Sequence, residues 1–376
     1  MKIIHLVLGK ANPNRMNGVN KVAHQLATTQ INLGHEVMLW GIANNLMHDY
    51  PERVYKTALF QQIKNKMSLD PNLIAAIDAL PKDTLVHFHG AFIPEFAKVS
   101  NALHKRGVAY VYTPHGSLTE GALMKSKWKK KMYIMLLEAN LIKKAKAVQL
   151  LGINEYNYLD NIVKIDHKHL IANGQNLNEI PDITTFTLKK HEHPLFGFCG
   201  RIDRYHKGLD LLLDGFKLYL DAGNKGHVSL IGDGADKDFL IDKAEKLNIS
   251  EYLTFHGKKF GQEKFELLAN MDVFMHTSRM EGFPTAVLEA AALHKPCITS
   301  EATNINPYID KYEAGFTLKE NNPSTIAQTM QMAANDFYAG KLSHKGARAF
   351  EMVKKEFNWT KIAKQLVDVY KNALTA

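Results

Sequence analysis

Short runs of Val, Ile and Leu alternate along the chain with longer stretches in which apolar residues return every three to four positions. The short runs have the composition of buried strands, and the longer ones have the period of helices packed by one face. Strands are predicted at Lys2–Leu8, Glu36–Trp40, Thr84–His89, Ala109–Thr113, Ala147–Leu151 and His169–Ile171. A second set follows at Leu195–Cys199, His227–Ile231, Leu253–His256, Val273–His276, Cys297–Thr299 and Ala314–Thr317. Helices fall between them, for example Val19–Leu33 and Leu209–Ala222. This alternation builds parallel sheets from βαβ units, so the fold class is α/β. The segment 176–194 is polar, holds two prolines and carries the run Lys-Lys-His-Glu-His, the composition of a linker. It predicts two Rossmann-like domains, 1–175 and 190–356. The closing stretch 357–376 reads as an amphipathic helix, with Trp359, Ile362, Leu366, Val369 and Tyr370 in helical register, able to pack back on the N-terminal domain. Ligands of such sheets bind beyond the C-terminal strand ends. Two facing sheets would therefore place one cleft between the domains.

Composition narrows the class. With 376 residues and 45% hydrophobic content the chain can build large cores, and the length suggests two or three domains. Two cysteines, Cys199 and Cys297, sit in apolar runs and offer neither a disulfide framework nor metal-ligand spacing, which suits a reducing cytoplasm. The opening MKIIHLVLGK reads as a first strand rather than a signal peptide. No apolar run reaches the roughly 18 residues of a transmembrane helix. The net charge of +9 invites anionic partners. No helix-turn-helix, zinc-finger or RNA-recognition signature is present, which disfavours nucleic acid.

Two stretches carry candidate chemistry. In RMEGFPTAVLEAAALHKP, Pro284 suits the first helical position, and the helix that follows is mostly Ala, Leu and Val up to Leu293. Glu281 then lies in the loop over the helix N-terminus, and Glu289 in its second turn. A carboxylate amid Ala and Leu is costly unless something satisfies it. That partner is either an internal cation or a ligand. In FGFCGRIDRYHKG, a strand ends at Cys199, Gly200 allows backbone to approach a ligand, Arg201 follows, and Lys207 precedes Gly208 and a helix start. A guanidinium fork, a compact ammonium and free helix N–H groups together suit a diphosphate. The alternative is a pair of solvated surface cations.

The order G-R-x5-K-G, then E-G-F-P-x4-E, resembles the retaining GT-B glycosyltransferases of family 4, and the resemblance runs over nearly the whole chain. It implies that Arg201 and Lys207 neutralise the diphosphate of a nucleotide-sugar donor. Glu289 would take the ribose hydroxyls and Glu281 those of the donor sugar, with Gly200, Gly282, Phe283 and Thr285 lining sugar and phosphates. In VYTPHGS, His115 is similar to the family's active-site histidine, which orients the donor rather than acting as a strong base. His89 in HFHGAF is a second candidate, or a core side chain. Gly18 and Val19 would start the first helix and bring N–H groups to the diphosphate. The family usually has two glycines there, whereas this chain has Asn17-Gly18. Asn173-Gly174 resembles a family turn, with Ala172 where Pro is usual.

Negative charge grows on the phosphate oxygen as the C1–O bond of a glycosyl donor breaks, so fixed cations and helix dipoles lower the barrier. No convincing Asp-x-Asp pair occurs, which predicts a metal-independent enzyme without cofactor, using a UDP- or GDP-linked sugar and a glycan or lipid-linked acceptor. The expected setting is bacterial surface polysaccharide synthesis, in the cytoplasm or on the inner face of the membrane. Residues 125–146 hold eight lysines against Glu138, with Trp128, Met132, Tyr133, Met135, Leu136 and Leu137 among them. Either this apolar face packs on the domain, or the segment lies on an anionic membrane with Lys127, Lys129, Lys130 and Lys131 on the lipid. Rival readings of the chain are a sugar-nucleotide epimerase of the same fold and a non-catalytic glycan-binding relative.

Overall fold

The computed structural model describes residues 1–376 apart from 13–17, 49, 66–67, 125 and 376. The chain divides into two compact units, Met1–Gly174 with Trp359–Ala376, and Gln175–Asn358.

The first unit is built on a seven-stranded sheet in the order β3-β2-β1-β4-β5-β6-β7. Its strands are β1 (Lys2–Leu8), β2 (Glu36–Ala43), β3 (Lys56–Gln61), β4 (Thr84–His89), β5 (Ala109–Thr113), β6 (Ala147–Leu150) and β7 (Lys168–Leu170). Every pairing is parallel. β1, β4 and β5 are buried on both faces, which is why their sequences read as continuous apolar runs. Sequence patterning misses β3. KTALFQ is an edge strand with only Phe60 fully buried, so it lacks the continuous apolar character of its neighbours.

One face of this sheet is covered by the helices Gly18–Asn32 and Trp359–Thr375. They pack on each other and share a core with Ile3, Val7, Leu39, Leu85 and Val111. The C-terminal helix buries Trp359, Ile362, Leu366 and Tyr370 as its register predicts, adding Ala363, Val367 and Ala373; Val369 is only partly buried.

The second unit is a six-stranded parallel sheet in the order β10-β9-β8-β11-β12-β13. These strands are β8 (Leu195–Cys199), β9 (His227–Ile231), β10 (Leu253–Gly257), β11 (Val273–His276), β12 (Cys297–Thr299) and β13 (Gly315–Thr317). Counted from its own first strand the order is 3-2-1-4-5-6, the doubly wound Rossmann arrangement, and the first unit repeats it with one strand added. Two such units define the GT-B fold class. The order reverses between β1 and β4 in one unit and between β8 and β11 in the other. Those two points are where each sheet opens a crevice at its C-terminal edge.

Candidate functional site

In the second unit both sequence motifs leave the sheet at its switch point. The loop after β8 runs from Gly200 to Gly208 and enters the helix Leu209–Asp221. Gly208 takes φ 62°, and a Cβ there would sit 2.0 Å from the Thr277 carbonyl oxygen, so the loop is pinned against the strand end after β11. Gly232, after β9, takes φ 140°, and a Cβ would fall 1.8 Å from the Gly200 carbonyl oxygen. Both positions need glycine for conformation and for close backbone approach.

This pinning delivers Lys207 onto Glu281. The Lys207 ammonium and the Glu281 carboxylate form an ion pair, with the two side chains only 17% and 15% exposed. His276, the last residue of β11, places Nε2 2.9 Å from the same carboxylate oxygen, Oε2. Burial works against a charge on Glu281, but the His276 hydrogen bond and the Lys207 charge outweigh it and hold the carboxyl at about 2. Burial lowers the pKa of His276, and its bond to Glu281 opposes that shift. The His276 ring stacks against Phe198 and Phe274, which fixes its plane.

The rest of the loop is built from residues that the motifs did not single out. Arg279 grips Asp210 with both guanidinium arms, Nη1–Oδ1 2.7 Å and Nη2–Oδ2 2.8 Å. Its Nη1 also donates to the Tyr205 carbonyl at 3.0 Å. The loop after β11 is thereby bound to the loop after β8. Asn304 Nδ2 lies 3.4 Å from the Glu281 carbonyl and 3.3 Å from that of Gly282. Asn321 Nδ2 donates to the Thr277 carbonyl at 2.9 Å. Beside these residues an open pocket of about 260 Å³ is lined by Ser278, Arg279, Glu301, Lys319 and Asn321, among others.

The other predicted residues fall out as follows. Arg201 is 67% exposed and pairs with Asp203 at 3.2 Å. A Cβ at Gly200 would face the Phe198 ring at 3.0 Å. Pro284 lies one residue before the helix Thr285–Ala292, at φ −87°, so Thr285 takes the first helical position expected for the proline. The Pro284 carbonyl accepts from Val287 N at 3.0 Å in a tight turn and from Leu288 N at 3.3 Å, the first bond of the helical ladder. Phe283 is buried against Phe357. Glu289 does meet an internal cation: Oε1 lies 2.8 Å from Lys264 Nζ on the neighbouring helix Gly261–Ala269.

In the first unit, strand alternation puts His87 and His89 on one face of β4, and register places His5 of β1 beside His87. His115 follows β5 at φ 55°, and its Nε2 lies 3.0 Å from His89 Nδ1. His89 is thus a core side chain in direct contact with the predicted site histidine. Burial holds His5 and His115 at about 4 and pushes His87 and His89 well down, so all four rings are neutral. The nitrogens of His5, His87 and His89 cluster within 4.8 Å, close enough to suggest a metal. All six already lie in hydrogen bonds, to Gln30, Tyr370, Thr113, His115 and one another, so the cluster reads as a network. Gly18 begins the helix Gly18–Asn32, followed by Val19. Asn17, beside them, lies outside the described residues, as does Lys125.

The basic segment buries Leu141 and Ile142 in the core and packs the Tyr133 ring on Phe92, but leaves several large apolar side chains exposed. Trp128 is 77% exposed and Met135 71%, with Met124, Met132 and Leu136 also exposed. Lys127, Lys129 and Lys131 are exposed with them. Lys130 is instead half-buried, with its ammonium on the Ala122 carbonyl and 5.3 Å from the Phe92 ring centroid. No helix among the described residues is long and apolar enough to cross a membrane.

A doubly wound unit takes its ligand at this switch point, where Lys207, His276 and Glu281 meet. Similarity to known proteins gives the class. The family model described as "Glycosyl transferases group 1" matches residues 180–346, and that described as "Glycosyltransferase Family 4" matches 16–179. The chain belongs to this glycosyltransferase family. It is 29% identical over 212 residues to the O-antigen biosynthesis glycosyltransferase WclY of Escherichia coli, covering 54% of this chain and 56% of WclY. The chain spans about half the length of the curated relatives it matches. Over 98% of both chains it superposes on sucrose-phosphate synthase from Thermosynechococcus elongatus, with a TM-score of 0.77 at 18% identity. HepE of Anabaena, solved with UDP, gives 0.77 at 16% identity over 98% of this chain and 99% of HepE.

Proposed function

We propose that the chain is a retaining, metal-independent glycosyltransferase. It moves a hexose-type sugar from a UDP- or GDP-linked donor to a glycan or lipid-linked acceptor in bacterial surface polysaccharide synthesis. The observation that carries this reading is the meeting of Lys207, His276 and Glu281 at the switch point of the second unit. Without donor, the Lys207 charge rests on Glu281. An arriving diphosphate competes for that ammonium beside the N-terminus of the helix Leu209–Asp221, where backbone N–H groups and the helix dipole favour an anion. Glu281, released from the lysine but still oriented by His276, then accepts from sugar hydroxyls. Glu289 shares its carboxylate between Lys264 and the ribose.

In the reaction the C1–O bond to the β-phosphate breaks and its electrons stay on the phosphate oxygen. The acceptor oxygen attacks the same face of C1, and its proton passes to the departing phosphate. Lys207 and Arg201 stabilise the charge on that oxygen as it develops. WclY's role in O-antigen biosynthesis and the UDP in HepE support the substrate class.

The exposed segment around Trp128 fits an anionic membrane surface, where the acceptor's lipid would lie. Its exposed apolar side chains share the segment with the exposed Lys127, Lys129 and Lys131, which matches aromatic and aliphatic insertion below anionic headgroups. Co-sedimentation with vesicles containing phosphatidylglycerol should be lost on changing these three lysines to Glu. Binding unchanged by those substitutions would remove the membrane from the account.

The test of the enzymatic reading is transfer itself. A donor panel is incubated with lipid-linked glycan, nucleoside diphosphate release is followed, and the product's anomeric configuration is read by NMR. Release that depends on acceptor and conserves the donor configuration is expected. Inversion contradicts retention, and interconversion of the free nucleotide sugar without acceptor indicates an epimerase.

A further inference from the structure

We propose that a one-directional hydrogen-bond chain, anchored at the Ile171 carbonyl and running through the core of the first unit, fixes His115 as the Nε2–H tautomer with Nδ1 as an acceptor. A backbone carbonyl can only accept, so the direction can be followed from it atom by atom. Gln149 Nε2 donates to the Ile171 oxygen at 2.9 Å, which leaves Gln149 Oε1 to accept from the Thr113 hydroxyl at 2.8 Å. Having given its proton there, Thr113 Oγ1 accepts from His87 Nε2–H at 2.6 Å. A neutral ring has one N–H, so His87 Nδ1 carries a lone pair and the Tyr370 hydroxyl donates to it at 2.6 Å.

The Tyr370 oxygen then faces Gln30 Nε2 at 3.5 Å, the longest link. The opposite orientation of the amide would oppose two oxygen lone pairs at that point. Gln30 Oε1 is thereby turned toward His5 and accepts from its Nε2–H at 2.8 Å. His5 Nδ1 accepts from His89 Nε2–H at 2.9 Å, and His89 Nδ1 accepts from His115 Nε2–H at 3.0 Å. His115 Nδ1 is left as the end of the chain.

The chain draws on five strands or their ends and on both helices covering one sheet face. Burial disfavours a charged imidazole at every ring, so no proton enters to break the direction. Tyr370, Gln30, His5 and His89 are positioning residues, acting on substrate only through His115. If the function proposed above holds, His115 bonds a sugar group that has a hydrogen to give, a hydroxyl, and cannot donate from Nδ1. The tautomer itself does not depend on that reading.

The experiment is nitrogen-15 NMR of the histidine-labelled full chain, with the His115 signals assigned by their loss in His115→Gln. The free protein should show His115 protonated at Nε2 alone. Tyr370→Phe and Thr113→Val each remove one hydroxyl at nearly constant shape and cut the chain. Both should give His115 a second tautomer. Tyr110→Phe removes another buried hydroxyl, bonded to the Leu141 carbonyl at 2.6 Å outside the chain, and should leave His115 unchanged. A wild-type His115 protonated at Nδ1, or one whose tautomer ignores both cuts, would overturn the proposal. Transfer assays separate the two claims. A tautomer that follows the chain in a protein without transferase activity sinks the function and keeps the chain. In an active enzyme, Tyr370→Phe should lower kcat and leave nucleoside diphosphate affinity unchanged.

Discussion

Glu281 Oε2 is held from two sides, by His276 Nε2 at 2.9 Å from the end of β11 and by the Lys207 ammonium from the loop after β8. One oxygen thus ties together the two strand ends that flank the switch point of the second sheet.

This pair sets the first prediction. Lys207→Ala and Glu281→Ala should each cut kcat by about 10²- to 10³-fold, the range for loss of one preorganised group facing transition-state charge. Removing Glu281 leaves the Lys207 ammonium largely buried without its acid, and removing Lys207 leaves Glu281 only its bond to His276, so stability should fall in both variants, by up to about 3 kcal/mol. A double-mutant cycle with Lys207→Met and Glu281→Gln should give a coupling on the order of 1–3 kcal/mol by urea unfolding. Additive single effects would mean that the two side chains do not interact.

The same carboxylate sets a pH dependence. Its folded pKa, about 2, lies below the ordinary 4.5. A lowered acid pKa stabilises the fold above the unfolded value, and the contribution is lost as pH falls from about 4.5 through about 2. The unfolding free energies of wild type and Glu281→Gln should therefore converge over that interval, with a difference on the order of 3 kcal/mol at neutral pH. A gap that stays constant from pH 6 to pH 2 would contradict the ionised, paired state.

Gly208→Ala tests the loop. The left-handed φ costs a non-glycine residue about 1–2 kcal/mol, and the Cβ would also press on the Thr277 carbonyl. Thermal unfolding should come earlier and nucleotide affinity should fall with it, because the same turn delivers Lys207. An alanine variant with wild-type affinity would show that the turn does not position the cation.

Glu289 and Lys264 share an ion pair with both side chains about one-seventh exposed. Glu289→Ala should weaken nucleotide-sugar binding about tenfold or more by isothermal titration, with kcat much less affected. Lys264→Met leaves the carboxylate in place for the ribose, so affinity should fall far less than with Glu289→Ala. Equal losses would assign Glu289 to structure alone.

Sequence patterning located most of the strands because parallel strands buried on both faces are unbroken apolar runs, as in Thr84–His89 and Val273–His276. It lost β3 because an edge strand is half-wet, and it placed the helix start one residue early at Pro284. The motifs also singled out Lys207 and Glu281, which the resemblance ties to one ligand and which the fold brings into one ion pair. What it could not identify were partners chosen by folding. His276 looked like a strand end, Arg279 like a loop charge, and Gln30 and Tyr370 like ordinary positions on amphipathic helices. Their bonds join residues far apart in the chain, 340 positions for Gln30 and Tyr370, and no local period encodes such a pairing. The exposure of Trp128 was equally hidden, because an apolar helical stripe looks the same whether protein or solvent covers it.

The most direct measurement is titration of UDP, GDP and ADP into wild type and Lys207→Met, with and without EDTA, followed by thermal shift. A ligand that binds only the folded state raises the melting temperature by mass action. The account predicts a shift with one nucleoside diphosphate, unaffected by EDTA and abolished in Lys207→Met. No shift with any of the three, or an equal shift in the variant, would contradict a diphosphate site at Lys207.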